Sequence, residues 1–420
     1  MNARARSIIL RAYALVGTVI VIALMLYAIP RMVEAWKQYP WDGKVDWIAA
    51  RAFVEGHNPY SPEELRKVKL DGLGHPPTTS FWWLPFAGYD LMQVSPLFGH
   101  VIVFLILLML LMLAYELRWP IPPLSGMIAF GLVMSSSWMY YHLYLVQVSG
   151  IIAFLYFMSW YLLRRDEQIA AGSMLGLACT FKFFPGLLVA MLLYARRWRA
   201  VVAAVVAYLI VFVVMTSRFG LAAWPQYAES EKIITNYWIG NQHNASVFGL
   251  ALRLLRPACR GAGISNPAGT AIALVIGGAL VAGAWWVCRR ALAERRFDLP
   301  FVLFAALSVF LNPFTFEHYF ALMVFPVLVT ATALVHAWQR GMPRRLWGAA
   351  AGCLAVAIAF LAFNFRWQDD VSWKAHHWLR HFLEYANWMH MPLTMASCAL
   401  LIWWSDRAGA PLLPSVRSSD

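Results

Sequence analysis

Asp46 lies just beyond the first hydrophobic segment of the chain, and this position predicts a chemical role for its carboxylate. It closes the run 41–46 (WDGKVD). A carboxylate just outside the first span of a very hydrophobic chain sits at the boundary between membrane and water, where lipid-borne substrates present their head groups. This location suggests catalysis on a lipid-linked substrate. The alternative is a helix N-cap, or an interfacial carboxylate paired with Lys44 or Arg51.

A second group of polar residues has the chemistry of sugar binding. Segment 217–266 is rich in amides, hydroxyls and aromatic rings, and it includes Asn241, Asn244 and Ser246. Sugar hydroxyls need paired donors and acceptors, and the C–H face of a sugar stacks on indole or phenol rings. The segment therefore suits a sugar, although an ordinary loop at the aromatic belt of a membrane has a similar composition.

The composition places these residues in a membrane protein. Of the 420 residues, 61% are hydrophobic and 13% are charged, and the mean hydropathy is +0.59. An ordinary soluble globule does not have this composition. The five cysteines are scattered without the spacing of a disulfide framework or a zinc site. We therefore expect an all-α polytopic membrane protein with a single integral domain, 1–420.

Hydrophobic runs of roughly 17 to 25 residues predict about twelve transmembrane helices. Two of these runs are too short to cross alone, and they meet at Lys182, which indicates a tilted pair or a re-entrant hairpin. The aromatic run 78–86 is predicted to be a short interfacial or re-entrant helix on the non-cytoplasmic face. The predicted spans are 7–29, 97–117, 122–142, 147–163, 168–181, 183–195, 200–216, 267–288, 299–317, 319–338, 346–364 and 389–405.

The arginines of the short loops predict the orientation, because cytoplasmic loops carry an excess of Lys and Arg. This bias accounts for most of the net charge of +13, so we expect no nucleic-acid partner. The expected location is the bacterial plasma membrane, with the active site facing the periplasm or the cell exterior. The longer non-cytoplasmic segments are 30–96, which holds the candidate base, 217–266 and 365–388. The arginines predicted to be cytoplasmic are those at 4, 6, 164, 165, 196, 197, 199, 289, 290, 295, 296, 340, 344, 345 and 407.

Several short motifs follow one another in order along residues 40–330. They are Asp46, Gly56, Asn58-Pro59-Tyr60, Pro76-Pro77, Gln147-Val148-Ser149, Lys182-Phe183-Phe184-Pro185, the run 241–246 with Arg253, and the run 312–319 (NPFTFEHY). This order resembles glycosyltransferase family 87, the polyprenol-phosphate-mannose-dependent α-mannosyltransferases of the GT-C superfamily. The chain has His75, Ser149 and Phe316 where the family more often has Tyr, Asn and Trp.

The resemblance implies a GT-C-type fold and an inverting transfer of mannose or another monosaccharide. The donor would be a polyprenyl-phosphate sugar, and the acceptor a glycan or a glycolipid at the non-cytoplasmic face of the lipid bilayer. Asp46 would be the catalytic base, and Lys182, His318 and Arg253 would bind the donor phosphate. No metal or other cofactor is expected, because such side chains can balance a monophosphate leaving group. The expected substrate-binding residues are Tyr60, His75, Gln147, Asn241, Asn244, Ser246 and Glu317.

Some of these candidates also have ordinary explanations. Lys182 could extend its ammonium group to water, although an unpaired cation between apolar helices is costly without an anionic partner. His318 could be an interfacial histidine without a role in binding. The histidines at 376, 377 and 381 suggest a metal site, but the charged residues around them favour a solvated surface.

Two other classes of protein fit parts of the pattern. Another GT-C enzyme, of the O-antigen ligase or lipid A sugar transferase type, would keep the architecture and the lipid donor. A transporter or flippase of lipid-linked saccharides would bury paired charges at the middle of the membrane, often with repeat symmetry. The charges of this chain gather at one membrane face and no internal repeat is visible, so the enzyme is favoured.

The predicted topology places both termini in the cytoplasm and segment 30–75 on the opposite side. Single cysteines introduced at Lys67 and at Arg344 should therefore react with a membrane-impermeant reagent from opposite sides of the membrane. Reaction of both positions from the same side would contradict the topology.

Overall fold

The computed structural model of the chain describes residues 3–68, 72–241, 244–255, 267–362, 389–409 and 411–414. The regular elements of these residues are all helices. The α-helices are α1 (Ala3–Lys37), α2 (Trp41–Glu55), α3 (Pro62–Lys67), α4 (Leu91–Glu116), α5 (Pro122–Ser135), α6 (Ser137–Leu145), α7 (Ser149–Leu163), α8 (Gln168–Phe181), α9 (Gly186–Tyr194), α10 (Trp198–Phe219), α11 (Ala223–Trp238), α12 (Val247–Leu255), α13 (Pro267–Ala293), α14 (Asp298–Leu311), α15 (Ala321–Gln339), α16 (Arg344–Ala362) and α17 (His390–Ala408). Two 3₁₀ helices, Thr79–Phe86 and Glu317–Phe320, complete the set in this part of the chain.

Several of these helices have the length and composition of membrane spans. Within the described ranges, six helices are long and apolar enough to cross a membrane, or seven if α6 and α7 count as one bent span. The prediction of a polytopic membrane protein agrees with this pattern. The count of twelve spans and the GT-C fold stay predictions. The six are Ser7–Lys37, Leu91–Glu116, Trp198–Phe219, Pro267–Ala293, Glu317–Gln339 and Arg344–Leu361.

The predicted span 122–142 is not one helix in the structure. It is divided at Ser136, whose backbone is extended and whose side-chain oxygen accepts a hydrogen bond from the amide of Met139, so that α6 starts with its own cap. A further bend of 108° separates α6 from α7. Average hydropathy along a segment contains no information about such caps, which is why the sequence pattern predicted a continuous helix.

Charged residues join several helices at one end of the bundle. Arg164 lies 2.7 Å from both Glu116 and Asp298, and Arg165 lies 2.7 Å from Glu116, which connects the ends of α4, α7 and α14. These arginines belong to the set that the sequence predicted to share one side of the membrane. Two further ion pairs join Asp166, which follows α7, to Arg197, which follows α9, and Arg296, which follows α13, to Asp406 in α17.

Three shorter helices lead from this charged end toward the opposite end. They are α7, α8 and α14, and each has 14 or 15 residues. At 1.5 Å per residue they extend about 21 to 23 Å, which is less than the roughly 30 Å of a bilayer's hydrocarbon core. The chain therefore changes direction near Ser149, Lys182 and Asn312 after a distance shorter than a full membrane crossing.

Helices α8 and α10 approach each other closely because two glycines face the contact. A Cβ atom at Gly172 would lie 2.0 Å from the carbonyl oxygen of Ala200, and one at Gly176 would lie 2.2 Å from that of Ala204. Side chains at these positions would force the two backbones apart. Because Lys182 follows directly after α8, this contact also helps to place the backbone of Lys182.

We expect Gly176→Ala to lower the melting temperature, because the added methyl group overlaps the backbone of α10. Overpacking of this kind costs about 1 to 3 kcal/mol. Gly278→Ala in α13 is the matched control, since a Cβ there has no neighbouring atom within 4 Å. Thermal unfolding of both variants in detergent tests the contact, and equal melting temperatures would contradict it.

Candidate active site

Asp46 is buried in the middle of α2 and faces His75. Only 2% of its surface is exposed, and Nδ1 of His75 lies 2.8 and 2.9 Å from its two carboxylate oxygens. The partner of Asp46 is therefore His75, and neither Lys44 nor Arg51 takes that place. Arg51 pairs with Glu55 at 3.5 Å. The N-cap alternative is also wrong, because Asp46 lies in the second turn of its helix.

The Asp46–His75 pair can accept a proton. When Asp46 is ionised, the short contacts require Nδ1 of His75 to carry a hydrogen and donate it. The carboxylate oxygens keep further lone pairs, so a substrate hydroxyl could donate to one of them. An imidazole held in this way also exposes its second nitrogen as a possible base. Both groups are therefore candidates for proton transfer.

Residues on two other elements hold the backbone around His75 in place. The hydroxyl of Tyr60 donates to the carbonyl oxygen of His75 at 2.8 Å. The side-chain oxygen of Ser230 in α11 accepts from the amide of Leu73 at 2.5 Å and lies 3.2 Å from its carbonyl oxygen. Burial and the charge of Asp46 raise the pKa of Tyr60 well above its usual value, so its hydroxyl stays a donor. Tyr60, a predicted substrate-binding residue, therefore contacts the backbone of His75, and its substrate-binding role stays a prediction.

A second carboxylate, Asp42, lies one helical turn before Asp46. Gln147 donates a hydrogen bond from its amide nitrogen to Asp42. Burial raises the pKa of Asp42, whereas His75, Gln147 and Lys182 oppose this rise. Gln147, predicted to bind substrate, therefore contacts this group of residues through Asp42. Asp42 was not among the predicted site residues.

Gln147 is placed by an unusual backbone conformation. The preceding residue, Val146, has a φ of 55°, in the left-handed region that β-branched residues rarely adopt. It forms the turn between α6 and α7. Residues in such conformations cluster at functional sites, where the surrounding structure holds them. Here the turn brings Gln147 to the acidic face of α2.

Lys182 follows the last residue of α8 in an extended conformation. The hydroxyl of Thr79 donates to the carbonyl oxygen of Phe181 at 2.9 Å, and the indole of Trp82 donates to the hydroxyl of Thr180 at 2.9 Å. These bonds satisfy groups at the helix end that would otherwise lack partners. The 3₁₀ helix Thr79–Phe86 thus fixes the end of α8, and with it the position of the lysine.

The lysine lies within electrostatic range of carboxylates on two different helices. Its charge lowers the pKa of Asp42 in α2 and of Glu231 in α11 relative to burial alone. Among the described residues, neither carboxylate approaches closely enough for an ion pair with Lys182. Its ammonium group is therefore available to an anionic ligand.

A cavity of about 460 Å³ lies beside Lys182. Cavities that hold small ligands have volumes of roughly 300 to 1,000 Å³. The walls combine hydrogen-bonding groups with aromatic rings, which is the combination that a sugar requires. The cavity-lining residues include Gly74 and Pro76 on either side of His75, together with Lys182, Phe183, Phe184, Tyr227, Glu231, Asn312, Phe314 and Tyr319.

Tyr227 and Glu231 of α11 were not among the predicted site residues. They lie four residues apart and therefore share one face of their helix with Ser230. Burial raises the pKa of Glu231, whereas a hydrogen bond with Thr235 and the charge of Lys182 oppose the rise. The sequence shows that Tyr227 is three residues from Ser230 and four from Glu231, but this spacing does not predict which part of the protein the helix packs against.

Asn244 and Ser246 support one wall of the cavity. The amide nitrogen of Asn244 donates to the carbonyl oxygens of Pro313 and Ile239, at 2.7 and 3.0 Å, and its oxygen accepts from the amide of Thr315 at 3.1 Å. The hydroxyl of Ser246 donates to Pro313 at 3.0 Å. Both side chains therefore fix the loop 312–316, which lines the cavity. Their sugar-binding role stays a prediction.

Glu317 and His318 are both buried in the second 3₁₀ helix. The carbonyl oxygen of His318 accepts a hydrogen bond from the hydroxyl of Ser149 at 2.6 Å. Its imidazole lies against the ring of Tyr319, with 4.6 Å between ring centroids. His318 therefore contacts Tyr319, which lines the cavity. Its phosphate-binding role and the substrate-binding role of Glu317 stay predictions.

The remaining candidates lie at the edges of the described ranges. Asn241 is in the turn after α11, where its amide donates to the carbonyl of Trp238 at 3.0 Å. The side chain of Arg253 and the whole segment 365–388, with its three histidines, fall outside the described residues. Among the residues that the structure describes, no three His, Cys, Asp or Glu side chains are grouped as a metal site requires. Metal-independent chemistry stays a prediction.

Comparison with known proteins supplies one further finding. The family model described as Glycosyltransferase family 87 matches residues 74–316, which is more than half of the chain. The matched region contains His75, Gln147, Lys182 and Glu231, whereas Asp46 lies before it. No curated protein and no solved structure matches the chain.

Proposed function

The chain belongs to glycosyltransferase family 87, and we propose that it is an inverting enzyme that uses a polyprenyl-phosphate sugar as donor. One observation carries this proposal. Lys182 faces a ligand-sized cavity without an ion-pair partner among the described residues, close to the buried pair of Asp46 and His75. A cation for the leaving phosphate and a base for the acceptor hydroxyl are the two groups that such a transfer needs.

The donor phosphate would bind at Lys182. A charge-assisted hydrogen bond from an ammonium group stabilises both the bound phosphomonoester-like group and the charge that grows on it as the sugar leaves. Asp42 and Glu231 lie within electrostatic range of Lys182 on two different helices, and the charge of the lysine opposes the rise that burial causes in the pKa of each carboxyl. We propose that the transfer needs no divalent metal, because a monophosphate leaving group can be stabilised by such a side chain.

Asp46 would take the proton of the acceptor hydroxyl. His75 donates to the carboxylate and so holds it in one orientation, which leaves lone pairs free for the acceptor. The hydroxyl oxygen then attacks the anomeric carbon, the bond from that carbon to the phosphate oxygen breaks, and the phosphate keeps the electron pair. The expected acceptor is a glycan or a glycolipid.

The depth of the cavity supports a lipid-linked donor. The helices α7, α8 and α14 extend only about 21 to 23 Å from the charged end of the bundle. With the arginine network at the cytoplasmic interface, the cavity would lie below the opposite head groups, within reach of a polyprenyl chain in the bilayer. We propose the bacterial plasma membrane, with the cavity open toward the periplasm or the cell exterior. Family membership argues against the alternatives of a flippase and a different GT-C enzyme.

Asp46→Asn should lower turnover about 100-fold or more, because the amide keeps the size of the side chain but cannot accept the proton. The Km for donor should change little. His75→Gln should retain more activity than Asp46→Asn, since glutamine can still donate to the carboxylate. Steady-state kinetics with polyprenyl-phosphate mannose and mass spectrometry of the products would measure both effects.

Asp90→Asn is the appropriate control for these variants, because Asp90 is an exposed cap of α4. Asp42 is unsuitable, since it shares the acidic face of α2 with Asp46. Near-normal turnover of Asp46→Asn would remove Asp46 as the base. A clearly larger loss in His75→Gln than in Asp46→Asn would transfer that role to the imidazole.

Lys182→Ala should weaken donor use while the protein stays folded. Loss of one charge-assisted contact to phosphate costs about 1.5 to 3 kcal/mol, or roughly a 10-fold to 150-fold rise in apparent donor Km. Lys232→Ala, which removes an exposed lysine of α11, should leave the donor Km unchanged. An apparent donor Km of Lys182→Ala equal to that of the wild-type protein would exclude Lys182 from the site.

A further inference from the structure

Helix α11 presents Glu231 to the cavity and is held in place by residues around it. Ser230 binds the backbone of Leu73 on one side of the helix. The ring of Tyr227 packs edge-on against Tyr60, with 5.7 Å between ring centroids. These contacts fix the helix across the cavity from the end of α8. The carboxylate of Glu231 therefore has a defined position relative to Lys182.

The charges around the cavity have a simple distribution. Of the described residues that line it, Lys182 and Glu231 are the two that carry a charge. When the donor phosphate binds Lys182, Glu231 is the charge that remains beside the rest of the ligand. The sugar is attached directly to the phosphate, so it must lie within the same cavity and close to this carboxylate.

The chemistry of a carboxylate suits the hydroxyls of a neutral sugar. Its oxygens accept hydrogen bonds from neighbouring hydroxyl groups, while the rings of Tyr227 and Tyr319 offer apolar faces to the C–H groups. A sugar that bears its own carboxylate would place two like charges in a partly dehydrated space, which strongly disfavours binding. Discrimination between sugars often uses such a repulsive element.

We propose that Glu231 binds hydroxyl groups of the donor sugar and selects neutral sugars against uronic acids. This inference rests on the proposed function, because it takes the donor phosphate to lie at Lys182. It assigns Glu231 a role in specificity, and the proton transfer still belongs to Asp46.

The test compares Glu231→Gln with Glu229→Gln, a matched change at an exposed position of the same helix. The substrates are polyprenyl-phosphate mannose and polyprenyl-phosphate galacturonate. In the wild-type protein, kcat/Km should favour the neutral donor by about 100-fold. Glu231→Gln should reduce this ratio by about 10-fold or more, mainly by lowering the Km of the uronate, and Glu229→Gln should leave it unchanged. An unchanged ratio in Glu231→Gln overturns the inference.

A binding experiment separates this inference from the proposed function. The shift in melting temperature is measured with mannose 1-phosphate and with galacturonic acid 1-phosphate for the same three proteins. Suppose that the wild-type protein transfers sugar from neither polyprenyl donor and is still stabilised more by mannose 1-phosphate, with this preference lost in Glu231→Gln. That result would refute the proposed polyprenyl-phosphate donor and support the role of Glu231. A wild-type protein stabilised equally by both sugar phosphates, or by neither, overturns the role of Glu231.

Discussion

The positive charge of Lys182 follows a short apolar helix, and the arrangement of the site depends on how this charge is held. An ammonium group at such a position is costly unless it meets an anion or reaches water. The structure places carboxylates of α2 and α11 within electrostatic range and leaves a cavity beside the amine. Because neither carboxylate closes an ion pair with it among the described residues, the charge is stabilised without being neutralised. A bound phosphate would complete the arrangement.

The position of this charge depends on tight backbone packing elsewhere. The glycines of α8 allow the carbonyl groups of α10 to come within a distance that no side chain would permit. The 3₁₀ helix Thr79–Phe86 then satisfies the end of α8 through Thr79 and Trp82. In an apolar environment a backbone carbonyl without a donor is strongly disfavoured. The end of the helix, and the lysine after it, therefore have little freedom to move.

Many polar residues act on the site through the backbone. Asn244 and Ser246 hold the loop that lines one wall, Tyr60 holds the carbonyl of His75, and Ser149 holds that of His318. Buried polar groups need hydrogen-bond partners. In a bundle of helices, the backbone groups without a partner inside a helix are those of the loops, and polar side chains bind to them. The short motifs of a family can therefore include residues that hold the backbone of a site in place as well as residues that take part in its chemistry.

The sequence by itself determined the features that depend on local composition. Hydropathy identified a polytopic helical protein, the arginine clusters indicated which helix ends lie together, and the positions of Asp46 and Lys182 beside apolar segments marked them as functional candidates. The tertiary structure alone decided how these residues combine. The pairing of Asp46 with His75 joins residues 29 positions apart. Glu231 lines the same cavity as Lys182 because α11 is fixed against the loop before the first 3₁₀ helix. Likewise, the break at Ser136 and the left-handed turn at Val146 follow from caps and packing between helices. Periodicity and hydropathy describe one segment at a time, whereas a site assembled from several helices depends on the contacts between them.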